Sequence, residues 1–278
     1  MVMDTNEAIQ SLETISFCAL KISGRTEGRQ VESWHTMMAS LAFARLALNS
    51  LSILRLSPGS SLYLAGSYQV WDLPSVSSLS RNLIETYLAL HYFTRTSLPA
   101  DELQLRKDVW RYHETCERMK MLRAGVPNSV GLPKLQDSAS KLKYELTQNS
   151  LFKALPEDRR RRVLQGEIAK LETNRQLCVS AGVSEGYYDS IFKYGSNHTH
   201  SSPFSFSQID GFQADDISSR RVFHTAFDTS TGFVAIGIRD YVKLCPDQLP
   251  LMDDKEKHLV NLWEGIFKDY DAYFTGPN

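Results

Sequence analysis

Residues Ser75–Arg95 read SVSSLSRNLIETYLALHYFTR, a stretch that is apolar on almost every side at helical spacing. A helix that is apolar all round is a buried one. Charges are almost never fully buried unless they are paired. Arg81 and Glu85, one turn apart in its middle, therefore predict one of two things. They form a structural ion pair at the centre of the fold, or they floor a polar site. Asp72 stands ready as the cap, and Pro74 falls in the first turn, where a missing N–H costs little.

Working outward, the same helical periodicity covers most of the chain. Asn6–Ile22 reads as an amphipathic helix with Ile9, Leu12, Ile15 and Leu20 near one face, and Gly24 and Gly28 bracket a turn. Val31–Leu56 is a long second helix, stopped by Ser57-Pro58-Gly59. Pro99-Ala100-Asp101 opens a helix running to about Arg123, and AGVPNSVGLP, residues 124–133, reads as a flexible loop. Helices are predicted near Lys134–Thr147, Glu157–Val179 and Glu185–Asn197, followed by an ordered, irregular loop from His198 to about Gln213. Asp215 or Asp216 caps a long helix to about Leu244, and Asp253 opens the last, ending near Phe274. No segment is strand-rich and none repeats. The expectation is an all-α fold, one helical bundle or array of about eight or nine helices over residues 1–278.

Composition narrows the function. The chain has 278 residues, 42% of them hydrophobic, enough for one large domain or two small ones. A formal net charge of −1 supplies no global basic field for nucleic acid or an anionic membrane. Cys18, Cys116, Cys178 and Cys245 lie far apart, which suits reduced thiols in a cytoplasmic protein. The N-terminus has no basic segment before an apolar run, so no signal peptide is expected. Leu41–Leu56 is apolar but broken by Arg45 and Arg55, which predicts a core helix rather than a membrane span.

Four polar constellations carry possible chemistry. Arg81 and Glu85 share a helix face, in the order that stabilises a helix less. Their guanidinium and carboxylate suit an ion pair, or an anion site with Glu85 orienting Arg81 or acting as base. In Tyr187–His200, YYDSIFKYGSNHTH, the residues Tyr187, Ile191, Tyr194 and His198 form one helical stripe beside a polar cluster that includes Ser196. His198-Thr199-His200 can chelate a metal from extended backbone; Glu85 is a candidate third ligand, and a hydrogen-bonded helix cap is the plainer alternative. Arg220, His224 and Asp228 recur every fourth residue and read as a solvated charge ladder, with the lining of a pocket that faces the Tyr187–His200 cluster as the alternative. Arg159–Arg162 points in four directions around a helix and reads as surface charge, with RNA phosphate contact as the alternative. No P-loop, dinucleotide fingerprint, nucleophile elbow, zinc-protease or EF-hand motif occurs, so no cofactor is expected.

The Ser-x-x-Arg-x-x-x-Glu element at Ser78–Glu85 and the later Tyr-x-x-x-His element at Tyr194–His198 resemble a bacterial all-helical family known only as a domain of unknown function. The resemblance spans about Trp34–Ser205. It implies that Arg81, Glu85, Tyr194, Ser196 and His198 are the recognisable polar positions, and it implies no activity. A more distant resemblance is to the HEPN helical ribonucleases of toxin and antiphage systems, which use an Arg-polar-x(4–6)-His motif without metal. Arg81-Asn82 has the right opening but His91 lies too far along; Arg29…His35 and Arg106…His113 fit the spacing, though Lys107 departs from the usual second residue. Three functions are thus expected. The first is an interaction or regulatory module of a defence or stress system, acting through a protein partner or a homodimer. The second is a metal-independent ribonuclease using Arg81 and His198. The third is a metal-dependent hydrolase using Glu85, His198 and His200.

Overall fold

The computed structural model describes residues 5–31, 33–64, 68–213 and 216–274. Every regular element among them is helical. The first three helices are α1 (Thr5–Thr26), α2 (Trp34–Arg55) and α3 (Leu73–Thr94). Then come α4 (Ala100–Gly125), α5 (Leu132–Gln148), α6 (Ser150–Ala154) and α7 (Glu157–Leu164). The remainder are α8 (Asn174–Ser180), α9 (Glu185–Thr199), α10 (Pro203–Asp210), α11 (Ile217–Arg220), α12 (His224–Leu244) and α13 (Asp254–Phe274). Short 3₁₀ turns at Arg221–Phe223 and Pro246–Leu251 flank α12. The all-α class is as expected; thirteen α-helices among the described residues exceed the expected eight or nine because two predicted helices are each broken in two and α6 and α10 form in stretches not read as helix.

The helices group into two compact units, residues 1–94 with 174–278, and residues 95–173. The divisions fall at the end of α3 and in the α7–α8 connection; residues 124–133 lie within the second unit, where 126–131 form the turn between α4 and α5.

In the first unit α3 is the central helix, packed against α2, α9 and α12. Asp72 caps it as expected, its Oδ1 accepting the Ser75 N–H at 3.1 Å. Leu83, Tyr87, Leu88 and Leu90 are wholly buried, each contributing about 1.5–3 kcal/mol of apolar transfer. α2 ends before Ser57-Pro58-Gly59, where Gly59 takes a φ of +94° that suits glycine alone. α1 buries Ile9, Leu12 and Ile15, but the inward stripe continues to Ala19, leaving Leu20 on the outer side. Gly24 lies inside α1, so the turn begins after Thr26. Asp253 opens α13 through a reciprocal capping box, accepting from the Glu256 N–H at 2.8 Å while its own N–H donates to the Glu256 carboxylate at 2.8 Å. By length and composition α2 does reach the requirement for a membrane span despite Arg45, with half of the qualifying stretch buried in the fold.

The second unit packs Leu105, Val109, Tyr112, Leu142, Leu146, Phe152 and Val163 into its own core. The single predicted helix Glu157–Val179 breaks here: α7 stops at Leu164, and Gly166 turns with φ +67°. A Cβ at Gly166 would lie 2.5 Å from the Cys116 Cβ, so only glycine allows this close return.

Candidate functional site

α9 is capped by Ser184, whose hydroxyl accepts the Tyr187 N–H at 3.3 Å, and it lies against α3. Gly195 is what allows the approach. A Cβ there would sit 2.8 Å from the Arg81 Cβ and 3.3 Å from the Ser77 carbonyl oxygen. At this crossing the Arg81 Nε donates to the Ser196 Oγ at 2.9 Å, and its Nη2 meets the Glu85 Oε1 at 3.1 Å. The guanidinium also covers the Phe192 ring, 4.6 Å from its centroid. Ser196 in turn donates to the Phe192 carbonyl oxygen at 2.8 Å. Arg81, Glu85 and Ser196 are thus brought together. The Arg81 side chain keeps 20% exposure and Glu85 40%, so the ion pair itself contributes at most about 1 kcal/mol.

Tyr194 and His198 turn to other partners. The Tyr194 hydroxyl donates to the Val222 carbonyl oxygen at 3.3 Å, and burial pushes its phenol above the usual range. His198 is 3% exposed, and its Nδ1 lies 2.9 Å from the Ser205 Oγ. Its ring stands edge-on to Tyr194, centroids 4.9 Å apart, and near Phe204. Its Nε2 has no hydrogen-bond partner among the described residues. Burial lowers its pKa, which keeps the ring neutral near pH 7.

Several expectations are corrected. His198-Thr199-His200 is not extended: His198 is in the last turn of α9 and His200, exposed, is its C-cap. Among the described residues no group of three or more His, Cys, Asp or Glu can hold a metal ion, so Glu85, His198 and His200 form no such set. The loop after His200 contains α10, begun by Pro203 at its first position. Asp215 lies outside the described residues; Asp216 caps α11, accepting the Ser219 N–H at 3.2 Å. α12 starts only at His224, so Arg220, His224 and Asp228 do not share one helix. Arg220 lies 5.4 Å from the Trp71 ring centroid, and the His224 Nε2 is 2.8 Å from the Thr5 Oγ1. Asp228 is buried enough to push its carboxyl up to about 6. These residues form no solvated ladder.

The arginine-histidine pairs of the right spacing are also held elsewhere. Arg106 is buried and bridges Glu102 and Glu172, while the His113 Nδ1 lies 3.0 Å from the Gly166 carbonyl oxygen. Arg29 pairs with Asp247 at 2.5 Å, and His35 is buried edge-on to Trp34. In the four-arginine run, Arg159 and Arg160 bind backbone carbonyls, and Arg161 and Arg162 pair with Asp158 and Glu167.

A second polar cluster, absent from the sequence reading, lies between α3 and α12. The His91 Nδ1 is 2.9 Å from the Asp240 Oδ2, which also accepts the Tyr87 hydroxyl at 2.9 Å. Arg239 donates to the Asp240 Oδ1 at 2.8 Å. Burial pulls the Asp240 carboxyl up, but His91 and Arg239 outweigh it and hold the group below its usual range. Burial, reinforced by Asp240, drives the Tyr87 phenol well above its own. Arg239-Asp240 inside the apolar run Phe233–Val242 is the same signal that marks α3, a charged pair in a greasy helix.

No curated protein and no solved structure matches the chain. Residues 46–217 match the model of a family of unknown function, a span that includes Arg81, Glu85, Tyr194, Ser196 and His198. The chain therefore belongs to the family of unknown function DUF5677.

Proposed function

We propose that the protein is a helical interaction module that works by pairing with a second copy of itself. The observation that supports this is the outer face of α2. Met37, Leu41 and Leu48 are 41%, 59% and 58% exposed there, with the half-buried Ala44 between them. Their four-three-four spacing makes one seam. It borders a groove of about 570 Å³ shared with Leu20 of α1 and Tyr241 of α12. Contiguous apolar surface of this kind marks interaction sites. The seam is self-complementary: in an antiparallel pair Met37 meets Leu48, and bulky Leu41 meets small Ala44. No acidic residue interrupts α2, and Arg45 is its only charge before Arg55.

Light scattering on the full chain across roughly 1–100 μM tests the reading. Dimer is expected for the wild type and monomer for Leu41→Glu, with the far-UV spectrum unchanged. A wild-type chain that stays monomeric throughout contradicts it. The ribonuclease reading asks for His198 at a phosphate, whereas the ring is 3% exposed and faces Ser205. Incubation with mixed RNA and EDTA separates the two, and no cleavage is the expected result.

A further inference from the structure

The buried pair His91–Asp240 extends to a third residue that reaches solvent. The His91 Nε2 lies 3.1 Å from the Oγ of Ser180, the exposed last residue of α8. Carboxylate, imidazole and hydroxyl therefore stand in line at 2.9 and 3.1 Å. The carboxylate at Nδ1 favours the tautomer with the proton on Nδ1 and the Nε2 lone pair toward the serine; the Ser180 hydroxyl, which rests on the Leu177 carbonyl at 2.9 Å, must rotate to Nε2 to be activated. Arg239 and Tyr87 fix Asp240 from behind, so the imidazole cannot swing away. A nucleophile beside a base that is itself oriented by a third group is the arrangement that activates serine, and it is recognised by geometry, not by chain order.

The surroundings restrict the chemistry. The N–H groups after Ser180 are spent: Ala181, Gly182 and Val183 donate to the carbonyls of Leu177, Val179 and Cys178. No backbone oxyanion hole is left next to the hydroxyl. The nearby cation is Arg239, whose Nη2 reaches the Ala181 carbonyl oxygen at 3.2 Å. One donor of this kind replaces only part of a preorganised oxyanion site. Amides, with poor leaving groups, are excluded. Esters with good leaving groups are not.

We propose that Ser180 is a nucleophile toward activated esters, aryl esters and thioesters, with His91 as its base and Asp240 as the positioning residue. The Ser180 Oγ attacks the acyl carbon as its proton passes to the His91 Nε2. The bond from the acyl carbon to the leaving oxygen or sulfur breaks, and the leaving group takes that proton. The product is an acyl-serine. Water, giving a proton to His91, then releases the carboxylic acid and restores the hydroxyl.

Ser207 supplies an internal control. Its hydroxyl donates to the Phe204 carbonyl at 2.9 Å, as that of Ser180 does to the Leu177 carbonyl at 2.9 Å, and it too is exposed. It lacks the Ser180 imidazole contact at 3.1 Å. The full chain is incubated with p-nitrophenyl acetate and mapped by peptide mass spectrometry. Acetylation of Ser180 should exceed that of Ser207 by at least about a hundredfold, the low end of what a positioned base supplies. Ser180→Ala, a surface change, should keep the fold and remove the initial burst of nitrophenolate. His91→Gln, if folded by circular dichroism, should bring Ser180 down to the level of Ser207. Equal acetylation of the two serines in the wild type overturns the proposal, and so does full Ser180 acetylation in a folded His91→Gln protein.

Discussion

The Arg81 Nε donates to the Ser196 Oγ at 2.9 Å, joining α3 to α9 across 115 residues of chain. Three partners, Ser196, Glu85 and the Phe192 ring, occupy the guanidinium at once. Such a group acts first as a clamp. Arg81→Ala removes the hydrogen bond and the stacking and leaves Ser196 short of a donor. It should cost about 1–3 kcal/mol, read as a lower melting temperature. Arg81→Lys should recover only part of this, because an ammonium cannot reproduce the planar fork over the ring.

The same crossing predicts opposite signs for two glycine substitutions. Gly195→Ala would push a methyl to 2.8 Å from the Arg81 Cβ, and overpacking of this kind costs about 1–3 kcal/mol. Gly24→Ala in α1 meets nothing within 4 Å. It should stabilise by roughly 0.5–1 kcal/mol through helix propensity alone. Urea midpoints of the two proteins check both signs.

Stability should depend on pH through two buried groups with opposite slopes. Burial holds the Asp228 carboxyl at about 6 against 3.8 when free. Between those values the native state binds more protons than the unfolded state, so this group makes stability fall as pH rises from 4 to 6. Asp228→Asn should remove that slope and melt several degrees higher at pH 7. Burial instead lowers the His198 pKa from its free 6.5. The native state then binds fewer protons, and stability is lost as pH falls below about 6.5. His198→Gln should shrink that acid-side loss. Melting curves from pH 4 to 8 on both variants separate the two effects.

Burial pushes the Cys18 and Cys178 thiols up to about 12. Cys116 is buried as well, and Cys245 is the partly exposed one. Since thiolate is the reactive form, a disulfide exchange reagent at pH 8 should modify Cys245 first. The other three should follow only as denaturant unfolds the chain. Rapid native labelling of Cys18 or Cys178 would contradict the packing described.

The helical class and the position of α3 are legible in sequence because they rest on hydrophobic periodicity and a cap, both local. The pairing of Arg81 with Glu85 is local too, four residues apart. Ser196 joins them only through the family resemblance, since nothing short-range links residues 115 apart. The phase of α1 is misjudged by one residue, Leu20 for Ala19, because both are apolar and only packing tells them apart. The break at Gly166 passes for a tolerated helix glycine in sequence, because the close approach of Cys116 that reserves the position for glycine comes from another helix. The Asp240–His91 pair spans 149 residues. Its visible trace is Arg239-Asp240 in an apolar helix, which the rule applied to α3 also marks.

The most direct test of the clamp is a double-mutant cycle on Arg81 and Ser196, with Arg81→Ala, Ser196→Ala and the double variant unfolded in urea. If the two side chains hold α3 to α9 through their hydrogen bond, the single losses will exceed the double loss by about 1 kcal/mol. Strictly additive losses would contradict it, leaving Arg81 without a structural role at Ser196.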